Sequence, residues 1–156
     1  MARSTRTRCR RPDAPRCRGE IALSGRSVTG WPRLLLRLEG GCILVAALLA
    51  YGWLGASWWL FAALLFVPDL SMLGYAAGPV VGAVLYNAAH TLALPLVGLS
   101  LAIASGRPEA VGPVLIWLAH IGLDRALGYG LKYGSGFGDT HLGVIGRARD
   151  KTIAQS

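Results

Sequence analysis

Beyond Arg37 the chain is apolar almost throughout, in four stretches divided by short breaks. The first covers about Leu38 to Leu54 (LEGGCILVAALLAYGWL) and the second about Ser57 to Tyr75 (SWWLFAALLFVPDLSMLGY). Pro79 opens the third, which continues to about Ala104, and the fourth spans about Glu109 to Leu131. Each is near the ~20 residues that an α-helix needs to cross ~30 Å of hydrocarbon. None has the polar face that a core helix of a soluble domain turns to water. The breaks at Gly55–Ala56, Ala76–Gly78 and Ser105–Pro108 are short, which makes successive helices antiparallel neighbours. The pattern predicts an all-α fold: an integral membrane four-helix up-down bundle, its partner the lipid bilayer.

Composition agrees. Only 15% of the 156 residues are charged and mean hydropathy is +0.47, against about 25% charged in a soluble domain. Charge divides the chain into a disordered Arg-rich tail (1–33), a four-helix transmembrane domain with a Gly-rich C-terminal loop (34–146) and a C-terminal tail (147–156). Residues 1–37 hold ten arginines against Asp13 and Glu20, whereas six basic and six acidic residues follow. The basic excess belongs to the tail, so no nucleic-acid partner is expected for the body. The tail suits anionic lipid headgroups, and it lacks the apolar run of a secretory signal before residue 31. Ten arginines before the first span place the N-terminus in the cytoplasm, and an even number of spans returns the C-terminus there. Trp53, Trp58 and Trp59 bracket the outer turn as interfacial aromatics. Cys9, Cys17 and Cys42 have the spacing of neither a disulfide framework nor a zinc site. Gly74, Gly78 and Gly82 allow close backbone approach.

Against this background the ionisable residues inside the spans stand out, because Asp or Arg at mid-helix costs about 2.5–3.5 kcal/mol on insertion scales. They are Glu39, Asp69, His90, His120, Asp124 and Arg125. Counting depth at ~1.5 Å per residue brings Asp69, His90, His120 and Asp124, from three different helices, within about a turn and a half of a common level. His120 and Asp124 are i, i+4 and share a face, as do Asn87, His90 and Thr91 at i, i+3, i+4. Two imidazoles and two carboxylates are a sound ligand set for a divalent transition metal such as zinc, manganese or iron, with Asn87 or Thr91 behind them. The alternative is a structural polar cluster that fixes helix register. For Arg125 the choice lies between an ion pair with Glu39 and snorkelling to the interface. The Gly-rich stretch after the fourth span reads as a loop, either simply ending the helix or folding back as a lid that supplies His141.

Several of these runs also carry a resemblance. RLEGGC, PDLSMLGY, YNAAHT, WLAHIGLDRALGYGLKY and FGDTHLG, between about Arg37 and Gly146, resemble the small bacterial integral membrane proteins grouped as domain of unknown function 4260. That resemblance implies a multi-pass protein of the bacterial inner membrane and no particular chemistry. Pro68-Asp69, His90-Thr91 and the His120 to Asp124 spacing are also similar in order to membrane-bound metal-dependent hydrolases, which carry Thr-His where this chain has His-Thr. This second resemblance implies hydrolysis of an ester or phosphoester at the cytoplasmic surface. Asp69, His90, His120 and Asp124 would be metal ligands, Asp69 could instead act as base, and His141 would be the acid. The rival class is a membrane scaffold or an ion or proton carrier.

Overall fold

Proline and glycine set the ends of the elements. In the structure, a computed structural model, α1 runs Trp31–Trp53, α2 Trp58–Leu64, a 3-10 helix Val67–Ala77, α3 Pro79–His90, α4 Ala93–Ala104 and α5 Pro108–Leu127. A two-residue antiparallel hairpin, β1 Asp139–Thr140 and β2 Gly143–Val144, completes the fold. The structure describes Val28, residues 30–134 and residues 139–144; the rest of the expected tails lies outside the described residues. Pro32, Pro79 and Pro108 stand in the first turns of their helices, where a missing N–H costs nothing.

Among the described residues, four helical segments are long and apolar enough to cross a membrane: Trp31–Trp53, Trp58–Ala77, Pro79–Ala104 and Pro108–Leu127. The all-α membrane bundle is therefore as expected, but its details depart from four continuous helices. The fourth span stops at Leu127 rather than Leu131, because Gly128 takes the left-handed conformation at φ 96°. There it turns the chain so that Tyr129 N–H reaches Asp124 O at 2.8 Å.

Two spans are broken. The third divides at Thr91–Leu92 because Pro95 has no N–H for the Thr91 carbonyl and its ring excludes a straight helix there. Trp117 Nε1–H, from α5, satisfies the freed Ala89 carbonyl at 2.6 Å, as a break at membrane depth requires. In the second span the α-helix gives way to a 3-10 helix at Pro68. Val67, Leu70, Leu73 and Ala76 are all exposed while the intervening residues are partly covered. That period of three is the 3-10 repeat, and it aligns one apolar stripe toward lipid.

Close packing holds the bundle. α5 is the central helix, packed on α1, α4 and α2. A Cβ added at Gly122 would stand 2.7 Å from Leu44 N and 2.8 Å from Gly40 O, and one at Gly40 would stand 2.6 Å from Arg125 Cβ. The 3-10 helix and α3 approach as closely, with Gly82 against the Tyr75 ring and Gly74 against Leu85. At the outer end, Tyr51 is fully buried among Phe61, Leu115 and Ile116 and its hydroxyl donates to Ser57 O at 2.8 Å. Val28 N–H donates to His141 O at 2.8 Å, so both ends of the domain lie on one face.

Gly122→Val should therefore force α1 and α5 apart and destabilise the protein by about 1–3 kcal/mol, the usual cost of overpacking. Gly41→Ala, which meets nothing within 4 Å, should leave stability unchanged or slightly raised. Thermal unfolding in detergent compares the two.

Candidate metal centre

Three spans deliver the polar residues to one point. His90 ends α3 beside the break, Asp69 enters on the first turn of the 3-10 helix, and His120 and Asp124 share one face of α5. On α3, Gly82, Ala83, Tyr86 and His90 form the single buried face, with the small residues admitting the 3-10 helix and the large ones building the site. One potential ligand atom from each of Asp69, His90, His120 and Asp124 lies within 4.8 Å of all the others. Both histidines are buried, whereas the carboxylates keep partial exposure, 34% for Asp69 and 18% for Asp124.

The distances between these atoms discriminate among possible roles. His90 Nε2 lies 3.5 Å from Asp69 Oδ1 and 3.6 Å from Asp124 Oδ2. His120 Nε2 lies 3.6 Å and 3.9 Å from the same two atoms. These exceed the 2.7–2.9 Å of a charge-assisted hydrogen bond. Three of them, at 3.5–3.6 Å, match the edge of a tetrahedron, about 3.3–3.6 Å when the bonds from its centre are about 2.0–2.2 Å, and the fourth, at 3.9 Å, is longer. The residues present thus fit a divalent ion bound at their centre.

Imidazole tautomers lead to the same place. His90 Nδ1 is 2.8 Å from Tyr86 O; a carbonyl only accepts, so Nδ1 carries the proton and the Nε2 lone pair of neutral His90 faces the cluster. A metal-ligating histidine typically donates its second nitrogen in this way. His120 Nε2 is 3.0 Å from His90 Nε2. Two lone pairs at that distance repel unless a proton or a cation lies between them. His120 Nδ1 is buried without a hydrogen-bond partner among the described residues. Tyr86 completes the lining: its hydroxyl donates to Asp124 Oδ2 at 3.2 Å and its ring stacks on His90, centroids 3.8 Å apart and planes 14° apart. Phe66 closes edge-on against His120.

The C-terminal segment folds back over the site. His90 is the last residue of α3 and Asp124 is in the last turn of α5. At ~1.5 Å per residue the start of α3 projects roughly 12 Å past the end of α5. Residues 128–134 fill that step. Asn87 clamps them, Nδ2–H donating to Lys132 O at 2.8 Å and Oδ1 accepting from Lys132 N–H at 2.7 Å, and Gly134 rests against Val80. Asn87 therefore lies behind the site as a fastening for the chain. Lys132 is 6% exposed, with Nζ 4.2 Å from the Tyr86 ring centroid and 5.4 Å from that of Tyr75. Burial pushes its ammonium pKa down, while Asp124 and Asp69 act in the opposite direction.

His141, expected as an acid supplied by the folded-back loop, is not among the converging residues. Its Nδ1 accepts from Leu131 N–H at 2.9 Å and its own N–H donates to Leu131 O at 3.1 Å, so it ties the hairpin to the returning segment. Thr91 Oγ1 faces Ala93 N–H, 3.4 Å away, at the helix break. Glu39 acts electrostatically on Arg125, yet the two do not close to ion-pair distance among the described residues. Tyr86 and Lys132 line the cluster without belonging to the residues that the sequence singles out. Tyr86 could have been found at i−4 from His90, whereas nothing in the spacing marks Lys132.

Residues 33–145 match the family described as "Domain of unknown function (DUF4260)", and the chain belongs to that family. No curated protein and no solved structure matches it. It is a multi-pass membrane protein whose family carries no assigned activity.

Burial holds the His141 pKa below its ordinary 6.5, with Arg125 adding to the effect and the Leu131 carbonyl opposing it. A depressed histidine pKa means that its stabilising contribution is fully present above about 6.5 and is lost as pH falls through the folded value. The Leu131 amide should therefore lose hydrogen-exchange protection on acidification below that value, after correction for intrinsic exchange. His141→Ala should lower protection at neutral pH and abolish this pH dependence.

Proposed function

We propose that this protein is a metal-dependent hydrolase of ester or phosphoester substrates at the cytoplasmic surface of the bacterial inner membrane. The observation that carries the reading is the convergence, within 4.8 Å of one another, of two imidazole nitrogens and two carboxylate oxygens drawn from three spans, with three of the nitrogen–oxygen edges at 3.5–3.6 Å. His90, His120 and Asp124 would hold the ion. Such an ion, when bound, supplies Lewis acidity and lowers the pKa of water toward neutrality. Asp69, the more exposed carboxylate, would be the ligand that yields to substrate and the base that takes a proton from water. Tyr86 would keep Asp124 Oδ2 oriented while the carboxylate is held as ligand. The tethers of His141 to Leu131 suit a fastening role better than that of an acid. Cytoplasmic placement of both ends rests on the ten arginines preceding Leu38.

A second reading, an ion or proton carrier, draws on the broken spans beside Asp69 and His90, since transporters build sites where helices are discontinuous. A path, however, needs polar groups strung along depth, and these four meet at one point. Uptake of zinc or protons by proteoliposomes would favour the carrier.

Protein purified without chelator, or reconstituted with zinc, manganese or iron, should hold about one equivalent of metal by elemental analysis. His120→Ala should lose it while still inserting, because span hydrophobicity barely changes. Asp69→Asn should retain more metal, yet lower hydrolysis of aryl ester or phosphodiester probes by about 10²–10⁴-fold, the usual contribution of a general base. Well under one equivalent after reconstitution would contradict the metal centre, and full metal without turnover would contradict the hydrolase.

A further inference from the structure

Lys132 is buried where a membrane bundle has least reason to bury an ammonium, and its surroundings form a linear stack. The Tyr86 ring lies nearly parallel to the His90 ring at 3.8 Å. That leaves only the opposite face of Tyr86 for Lys132 Nζ, which stands 4.2 Å from its centroid. The order is therefore ammonium, phenol, imidazole. The phenol is also joined to the fourth member of the cluster, through its hydroxyl on Asp124 Oδ2. The lysine backbone is fixed independently by the paired hydrogen bonds with Asn87 and by the bridge between Lys132 and Thr140.

We infer that Lys132 is a positioning residue of the metal centre, acting through Tyr86 to hold the His90 plane and the Asp124 oxygen in ligand geometry. This rests on the metal reading above and adds a device to it. A cation on one face of a phenol is attracted by the ring's negative π-face and presses the ring against the imidazole behind it. The same contact orients the hydroxyl toward Asp124. Groups that orient ligands from behind typically change metal affinity 10–100-fold when removed. The Gly-rich return of the chain then has a definite purpose, delivering a charge to the back of the site rather than an acid to its mouth. Sequence distance conceals this link, because Lys132 lies beyond the end of α5 and its backbone is fastened beside the site by Asn87.

Cobalt(II) titration of the full-length protein in detergent tests the inference, read by the visible d–d bands of a four-coordinate site. Lys132→Met keeps the apolar stem and removes the charge; it should weaken cobalt binding about 10–100-fold and alter the band pattern. Lys132→Arg, which keeps the charge and stacks on aromatic faces, should restore both to within a few-fold of wild type. Should Lys132→Met not yield folded protein, Tyr86→Leu, which removes the intervening ring and keeps the lysine, should give the same loss. Wild-type cobalt affinity and bands in Lys132→Met, or in Tyr86→Leu where that variant stands in, would overturn the positioning role and leave the metal centre intact. Failure of the wild-type protein to bind cobalt would overturn both.

Discussion

Two carboxylates held close together inside an apolar bundle are the constraint on which the rest of the structure depends. Like charges within 4.8 Å of each other repel by about 3 kcal/mol or more even at an effective dielectric constant near 20. That cost adds to the roughly 2.5–3.5 kcal/mol for inserting each aspartate at mid-helix. A divalent ion on one side and the Lys132 ammonium on the other would offset that cost. On one side the imidazole lone pairs and carboxylate oxygens surround a volume suited to a divalent ion. On the other, Lys132 lies behind the Tyr86 ring. The site is thus two layers deep, and the outer layer is supplied by a segment that crosses no membrane.

The broken spans follow from the same requirement. A straight third span would carry its apolar face past the site and keep the carbonyls at its centre locked in the helix. Ending α3 at His90 leaves that ring at a helix terminus, with Nδ1 free to bond the Tyr86 carbonyl, and Trp117 satisfies a carbonyl that the break exposes. In the second span, the three-residue repeat of the 3-10 helix keeps Val67, Leu70 and Leu73 toward lipid, with Asp69 on the partly covered side. An α-helical repeat would have rotated that apolar stripe around the axis. The close approaches at Gly40 with Gly122 and Gly74 with Gly82 bring the backbones near enough for short side chains to meet.

Much of this was legible in the chain. Span number, the all-α class and the common level of Asp69, His90, His120 and Asp124 follow from hydrophobic length and helical rise, which tertiary packing does not alter. Of the stripe Gly74, Gly78 and Gly82, the outer two make the close contact expected of small residues, whereas Gly78 meets nothing within 4 Å. Pro95 was a visible helix breaker, but a span of uniform hydrophobicity masks its effect because hydropathy does not respond to a lost hydrogen bond. The 3-10 repeat was likewise present in the alternation from Val67 to Ala76, hidden by reading it at 3.6 residues per turn. The role of the C-terminal return was not legible. Which residue it presents depends on the step between the ends of α3 and α5, a packing quantity with no local signature. Hence His141 was expected at the site that Lys132 backs.

X-ray absorption at the metal edge of the zinc-loaded protein tests most directly whether these four residues hold one ion. A single ion held by them should show a light-atom shell of nitrogen and oxygen at about 2.0–2.2 Å, with the outer-shell scattering of two imidazoles. That imidazole pattern should fall to one ring in His90→Ala or His120→Ala. A sulfur shell near 2.3 Å, implicating a cysteine such as Cys42, or a spectrum without imidazole scattering, would contradict it.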